Sequence, residues 1–206
     1  IAAGTTHVNN GEFRFAFIIP KDIDLAYGTA KFSLYATDSL SDASGDYSQI
    51  ILGGIDPLLA NDTQGPEITL YLDDPRFASG NITTPNPLLI ASLSDSAGIN
   101  HAGYGLGHDI NLWLDEDTRD AMNLNTWFRP ANMLATAGNI TYPLKNLPEG
   151  PHTLTLRAWD LQNNSSEKTI SFFVSNSSEI ALKQVLNRPN PFTERTWFFF
   201  EHNQPS

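Results

Sequence analysis

The chain has 206 residues, enough for one to three small domains, and 40% hydrophobic residues with twelve Phe and four Trp, a content that predicts a folded chain rather than a disordered one. Its 12 Lys and Arg against 23 Asp and Glu give a net charge of −11, which argues against nucleic acid because phosphate binding needs clustered basic side chains. The absence of cysteine excludes disulfides, thiolate metal sites and a cysteine nucleophile within these residues.

The first segment carries three predicted strands. Phe13, Phe15 and Phe17 alternate within residues 11–23, which predicts a strand that ends at Pro20, since proline cannot donate to a β-ladder. Residues 31–36 and 48–52 predict two further strands. The turn formers at residues 42–46 predict the connection between them.

The middle of the chain shows the same alternation repeatedly, with turn formers between the runs and no sustained helical period. The apolar members of these runs are Ile68, Leu70 and Leu72; Leu89, Ala91 and Leu93; Ile110, Leu112 and Leu114; Leu154, Leu156 and Ala158; and Ile170, Phe172 and Val174. Short strands with regular turns are typical of a β-sandwich, and a barrel is the alternative. The apolar runs are too short for a transmembrane helix.

Clusters of turn formers at residues 53–61 and 175–178 predict linkers, and therefore tandem β-sandwich domains. Residues 1–61 would be the remaining part of a sandwich, with 3 basic and 7 acidic groups and net charge −4. Residues 62–176 have 6 basic and 13 acidic groups and a net charge of −7. Their number matches the size of an immunoglobulin-like sandwich. Residues 177–206 have 3 basic and 3 acidic groups and a net charge of 0, and they would open a further, truncated β-domain. Both chain ends suggest a piece of a longer protein.

Several ordered motifs resemble the region after the catalytic domain in gingipain-type cysteine peptidases that act as sortases of the type IX secretion system of Bacteroidetes. The motifs are GEFRFAFIIPKDI at residues 11–23, followed by DASG at 42–45 and GG at 53–54; GPEITLYLDD at 65–74; SDSAGIN at 94–100 with GLGHDI at 105–110; and NRPNPF at 187–192 with FEHN at 200–203. The last motif resembles the opening strands of a FlgD-like or C-terminal signal-type β-domain.

The resemblance implies a parent protein at the cell surface or outer membrane, with a Cys–His catalytic pair, an outer-membrane partner of the secretion system and secreted cargo whose signals it removes. Its catalytic residues cannot be assigned here, because thiolate chemistry needs a cysteine. We therefore expect a non-catalytic region that spaces or docks the catalytic domain. The alternative is a carbohydrate-binding or adhesin module.

Few side chains suggest chemistry of their own. His108 and Asp109 are adjacent within a glycine-bounded motif, where a hydrogen-bonding role in a loop is favoured over catalysis because neighbouring strand residues point to opposite faces. The acidic group Asp115, Glu116, Asp117 and Asp120 offers the oxygen ligands that calcium prefers. A solvated acidic hairpin is the competing interpretation.

Residues distant in the sequence could complete such a calcium site, namely Asp160, Asp73 or Asp74. An independent hydrolase would instead need Asp109, Asp115 and Asp160 to converge. Sugar stacking would use exposed aromatic residues, and the candidates are Tyr104, Trp113, Trp127, Phe128 and Trp159. Alternating Trp and Phe in a sandwich are more often core residues, and we expect Trp159 at a core edge with its indole N–H hydrogen-bonded.

Overall fold

The computed structural model describes residues 6–21, 26–38, 40–54, 62–103, 105–176 and 182–202. Within these ranges the secondary structure is almost entirely β, with two short 3₁₀ turns at Thr118–Asp120 and Asn125–Trp127. The predicted all-β sandwich class is confirmed. Most of the predicted linker at 53–61, part of that at 175–178, Tyr104 and Asn203 lie outside the described residues. The predicted division into three domains stays a prediction.

Thirteen strands occur in the described ranges. They are β1 (Gly28–Thr37), β2 (Asp42–Leu52), β3 (Glu67–Leu72), β4 (Ile82–Thr83), β5 (Leu88–Ser94), β6 (Asn111–Leu114), β7 (Met122–Asn123), β8 (Phe128–Pro130), β9 (Ala137–Pro143), β10 (Gly150–Trp159), β11 (Ser165–Val174), β12 (Leu182–Arg188) and β13 (Trp197–His202).

Two sheets face each other across the main core. One has the order β3-β5-β9-β8 and the other β4-β11-β10-β6-β7, with all neighbours antiparallel except the parallel pair β4–β11. The alternating residues predicted from the sequence point inward from both sheets, and those of β3, β5, β10 and β11 are buried. Leu72, Leu89, Leu112, Leu154 and Leu156 are fully buried, each contributing about 1.5–3 kcal/mol of apolar burial.

Residues 13–21, here called the strap, differ from the prediction because they form no strand. The alternation of Phe residues instead builds an aromatic stack, with ring centroids 5.5 Å apart for Phe15 and Phe17 and 5.6 Å apart for Phe17 and Phe32 of β1. At the other end of the strap Pro20 is buried and the amide of Lys21 donates to the carbonyl of Leu161 at 2.8 Å. The strap thus connects the β1–β2 hairpin to one end of the sandwich.

The β1–β2 hairpin turns earlier than predicted. Residues 42–46, predicted as the turn, belong to β2. Between the two strands the Asp38 carboxylate accepts hydrogen bonds from the amides of Leu40 and Ser41, each at 2.7 Å. These bonds hold the pKa of Asp38 below its usual value. A local side-chain cap therefore overrides the turn propensity of the later residues.

A second two-stranded hairpin, β12–β13, follows the sandwich. Leu186 pairs with Phe199 and Arg188 with Trp197, so these four side chains share one face. Alternation places Phe198 and Phe200 on the other face. Among the described residues no helix is long and apolar enough to cross a membrane.

Candidate functional site

Three carboxylates meet at one end of the sandwich. Asp95 directly follows β5, Asp160 directly follows β10, and Asp62 precedes β3. Oxygens of Asp62, Asp95 and Asp160 all lie within 4.8 Å of one another. We call this group the acidic triad. It lies beside the point where the strap joins the sandwich, because Leu161 accepts from Lys21 and donates its own amide to Gly98.

The carboxylate of Asp160 is hydrogen-bonded to the turn between β10 and β11. It is fully buried, and its Oδ1 accepts from the amides of Gln162 and Asn164 at 2.9 and 2.7 Å. Its Oδ2 accepts from Asn164 Nδ2 at 2.8 Å, and the same amide group also donates to the carbonyl of Asp62. The Asp160 carboxylate thus closes the β10–β11 turn and connects it to the segment before β3.

Burial and proximity make ionisation of the triad unfavourable. Burial is the main factor that raises the pKa of Asp95 to about 6, and the neighbouring charges of Asp160 and Asp62 add to it. Burial also raises the pKa of Asp160, against the hydrogen bonds from Asn164 and Gln162. Carboxylates this close favour a shared proton or a bound hard cation, either of which relieves their repulsion.

Replacing Asp95 with Asn should raise the free energy of unfolding at pH 7 by about 1 kcal/mol. This energy is smaller than the one equivalent to the full pKa shift, because Asp95 is only partly buried and solvent screens its charge. The folded-state pKa lies above the ordinary value of 3.8, so wild-type stability falls as pH rises from about 4 to about 6. The amide keeps the Oδ1 acceptor for the Ala97 amide but carries no charge. Urea unfolding in EDTA should show the gain at pH 7 and none below pH 4. An equal gain at both would contradict ionisation as its cause.

The acids predicted to bind calcium are not brought to one place. The amide of Asp115 bonds to Thr153, seven residues before Asp160 on the same strand, so at about 3.3 Å per residue roughly 20 Å separate the two acids. Asp117 forms a two-pronged ion pair with Arg119, which lowers its pKa. Asp120 is exposed in the adjoining 3₁₀ turn. One ion therefore cannot contact both Asp115 and Asp160.

The acids considered as completing ligands are also engaged within the fold. Asp73 accepts from the amide of Leu88 and the hydroxyl of Thr83. Asp74 pairs with Arg76, whose hydrogen bonds lower the Asp74 pKa to about 2. Calcium binding at any of these acids stays a prediction. An unchanged melting temperature on adding EDTA would contradict the prediction of a stabilising calcium ion.

His108 and Asp109 have separate environments. The His108 ring stacks on Trp159 with 4.1 Å between centroids. Asp109 Oδ1 accepts from Asn125 Nδ2 at 2.6 Å, and Asn125 Oδ1 accepts from the amide of Ile110. The hydrogen bonds of Asp109 and Asn125 fix the loop before β6.

A His–carboxylate pair between a buried histidine and an exposed aspartate occurs elsewhere and was not predicted. His152 Nδ1 lies 2.7 Å from Asp115 Oδ2, and its Nε2 lies 2.8 Å from the carbonyl oxygen of Pro148. Both ring nitrogens are therefore engaged within the fold. A catalytic histidine needs one nitrogen facing a nucleophile, whereas Pro148 occupies that position. The pair therefore fastens two loops. Its members are 37 positions apart in the chain, so no local sequence signal marks it.

The candidate aromatic residues divide between core and surface. Trp113 and Phe128 are buried, so neither offers a stacking face. Trp127 is 39% exposed and meets Tyr142 edge-on. The indole N–H of Trp159, predicted to be hydrogen-bonded, is buried without an acceptor among the described residues.

The acids that an independent hydrolase would need are also dispersed. Asp115 contacts His152 at one end of β10, and Asp160 lies at the other end. Asp109 bonds to Asn125 just before β6, and the register of β6 against β10 places it toward the Asp160 end, away from Asp115. The convergence that the hydrolase hypothesis requires is absent among these three residues.

No protein-family profile matches the chain, and no curated protein matches it significantly. An endo-β-1,4-mannanase from Thermotoga petrophila aligns with 57% of the chain at 13% identity and a TM-score of 0.35, too low to inform the fold. The crystal structure of dimeric latent PorU from Porphyromonas gingivalis aligns with 97% of the chain, at 34% sequence identity and a TM-score of 0.56. The chain spans 19% of the length of that protein. It is therefore similar, over nearly all of its own length, to one region of PorU.

Proposed function

We propose that this chain is a non-catalytic β-sandwich region of a cell-surface, type IX sortase-like cysteine peptidase, and that it spaces or docks the catalytic domain. The observation that carries the proposal is the similarity to PorU over 97% of the chain. The ordered sequence motifs at residues 11–23, 65–74, 94–110 and 187–203 support the same assignment.

The chemistry of the described residues is consistent with a structural role. The chain has no cysteine to supply a thiolate. Its buried His152 has both ring nitrogens engaged, and Asp115 and Asp160 lie at opposite ends of one strand. The proposed catalysis, removal of cargo signals and surface attachment of cargo, would belong to residues outside this chain. The proposed partners are a PorV-like outer-membrane protein and secreted cargo.

The proposal is tested in the full-length protein that carries this region. Deleting residues 62–176 should abolish assembly with the outer-membrane partner or the processing of cargo, measured by co-purification and by retention of the cargo signal. Normal assembly and processing in the deletion variant would overturn the proposed role.

A replacement variant separates spacing from docking. An unrelated immunoglobulin-like sandwich of similar size, inserted in place of residues 62–176, should restore cargo processing if the region only sets a distance. If the region docks a partner through its own surface, the replacement should fail while the native sequence succeeds. The level of folded protein in the membrane fraction is the control for both variants.

A further inference from the structure

Asparagine is followed directly by glycine at one position of the sequence, Asn10-Gly11, and this pair lies at the tip of an exposed turn. Asn9 and Glu12 bridge the turn, with backbone hydrogen bonds of 2.8 and 3.0 Å between them. Asn10 and Gly11 have φ of 52° and 82°, the two left-handed residues that are typical of a type I′ turn. The turn directly precedes the strap.

The groups that could react in this turn are free to move. An asparagine side chain is attacked by the backbone when the amide nitrogen of the next residue reaches its carbonyl carbon, and glycine has no Cβ to hinder the approach. Within the described part of the chain no hydrogen bond holds the Asn10 side chain or the Gly11 amide. Only the two bonds between Asn9 and Glu12 hold the turn, so it opens at little cost. Gly11 also lines an open cavity of about 690 Å³, which gives water access to it.

We propose that Asn10 is a site of spontaneous deamidation, at which Gly11 supplies the nucleophile and water is the other reactant. A base removes the proton of the Gly11 amide, and the nitrogen attacks Cγ of Asn10. The new bond from nitrogen to Cγ closes a succinimide ring, and the side-chain nitrogen leaves as ammonia. Water then opens the ring at either carbonyl, which gives aspartate or isoaspartate. The sequence of steps needs neither an oxidant nor a reductant.

Both products change the turn. Each adds one negative charge to residues 1–61, which already have a net charge of −4. Isoaspartate also directs the main chain through the side-chain carbon and lengthens it by a methylene group, so the Asn9–Glu12 bridge loses its register. The chain therefore loosens where the strap begins. This inference does not depend on the proposed function.

Asn164 provides a contrast within the same molecule, because a small residue, Ser165, follows it. Asn164 Nδ2 donates to Asp160 Oδ2 at 2.8 Å and to the carbonyl of Asp62 at 3.2 Å, and its backbone amide donates to Asp160 Oδ1. Ser165 is paired with Trp159 in the β10–β11 ladder. These contacts keep the Asn164 side chain from closing a ring, so we expect it to react only after unfolding.

Peptide mapping by mass spectrometry, after incubation of the intact protein in warm neutral buffer, measures conversion at each asparagine. Tryptic cleavage after Arg14 separates Asn10 from Asn164, and a sample digested before incubation corrects for conversion during digestion. We expect Asn10 to convert at least about tenfold faster than Asn164 in the folded protein. Isoaspartate should be among the products, and the rate should rise with pH because the attacking nitrogen must lose its proton.

The variant Gly11→Ala tests the role of the glycine. A methyl group beside the attacking nitrogen should slow conversion of Asn10 at least about tenfold. Alanine also disfavours the left-handed φ and loosens the turn, which by itself would not slow the reaction. Gly45→Ala is the matched control, because an added methyl group meets no atom within 4 Å at either glycine, and it should leave the rate unchanged.

Four outcomes would overturn the proposal. They are an Asn10 that stays an amide while urea-unfolded protein converts, aspartate formed without isoaspartate, equal rates at Asn10 and Asn164 in the folded protein, and a Gly11→Ala variant that reacts as fast as wild type. Unchanged melting of the sandwich shows that both glycine variants are folded.

Discussion

Replacing Asp160 with Ala should lower the free energy of unfolding by about 2–3 kcal/mol. The substitution removes the acceptor for the amides of Gln162 and Asn164 and for the Asn164 side chain. Hydrogen bonds to a charged acceptor contribute more than neutral ones, and donors left buried without a partner pay their desolvation cost. Relief of the repulsion within the acidic triad offsets only part of this loss. Chemical unfolding followed by tryptophan fluorescence measures the change.

Asp160→Asn is the matched control for that variant. It retains an Oδ1 acceptor for the two backbone amides but removes the charge, so it should cost less than half as much as Ala. Equal losses in the two variants would show that the negative charge, and not the acceptor geometry of the turn, stabilises the fold. An Asn variant more stable than wild type would contradict this expected loss and would show that the buried charge of Asp160 costs more than its hydrogen bonds contribute.

The second large loss of stability is expected from a substitution of Gly138 in β9. A Cβ added there would lie 2.6 Å from the carbonyl oxygen of Arg129 and still closer to the Phe128 ring. Phe128 is buried at 3% exposure, so its ring cannot move without disturbing the core. Gly138→Ala should therefore destabilise the protein by about 3 kcal/mol, as overpacking does in a filled core. Urea unfolding at neutral pH tests this value.

Two comparisons make the Gly138 result specific. A methyl group added at Gly45 in β2 would meet no atom within 4 Å, so Gly45→Ala should be neutral or slightly stabilising. Adding Phe128→Leu to Gly138→Ala should recover part of the loss through a favourable coupling between the two sites. A Gly45→Ala variant as unstable as Gly138→Ala would indicate a general loss of strand flexibility rather than a steric clash.

Alternation of apolar residues was sufficient to predict β3, β5, β6, β10 and β11, because one face of each is buried against the opposite sheet. It did not predict β8 and β9, where Gly138 takes an inward position that the Phe128 ring fills. In the strap the same alternation gave a wrong prediction of a strand. There the Phe side chains pack on each other and on β1, which needs no ladder of backbone hydrogen bonds.

The site was harder to predict than the fold for a geometric reason. Asp62, Asp95 and Asp160 are far apart in the sequence and meet only because β5 and β10 end on the same side of the sandwich. The pairing of His152 with Asp115 likewise follows from the register of β6 against β10. Sequence proximity draws attention to His108 with Asp109 and to the acids from Asp115 to Asp120, although neighbouring residues in a strand point to opposite faces.

The strap has a mechanical consequence. Tension applied between the β1–β2 hairpin and the sandwich would reach the Lys21–Leu161 hydrogen bond and the buried Pro20 before it loaded the ten paired residues of β10 and β11. A single bond yields more readily than a ladder strained along its full length. Under load we expect the strap to separate from the sandwich before the β10–β11 ladder opens.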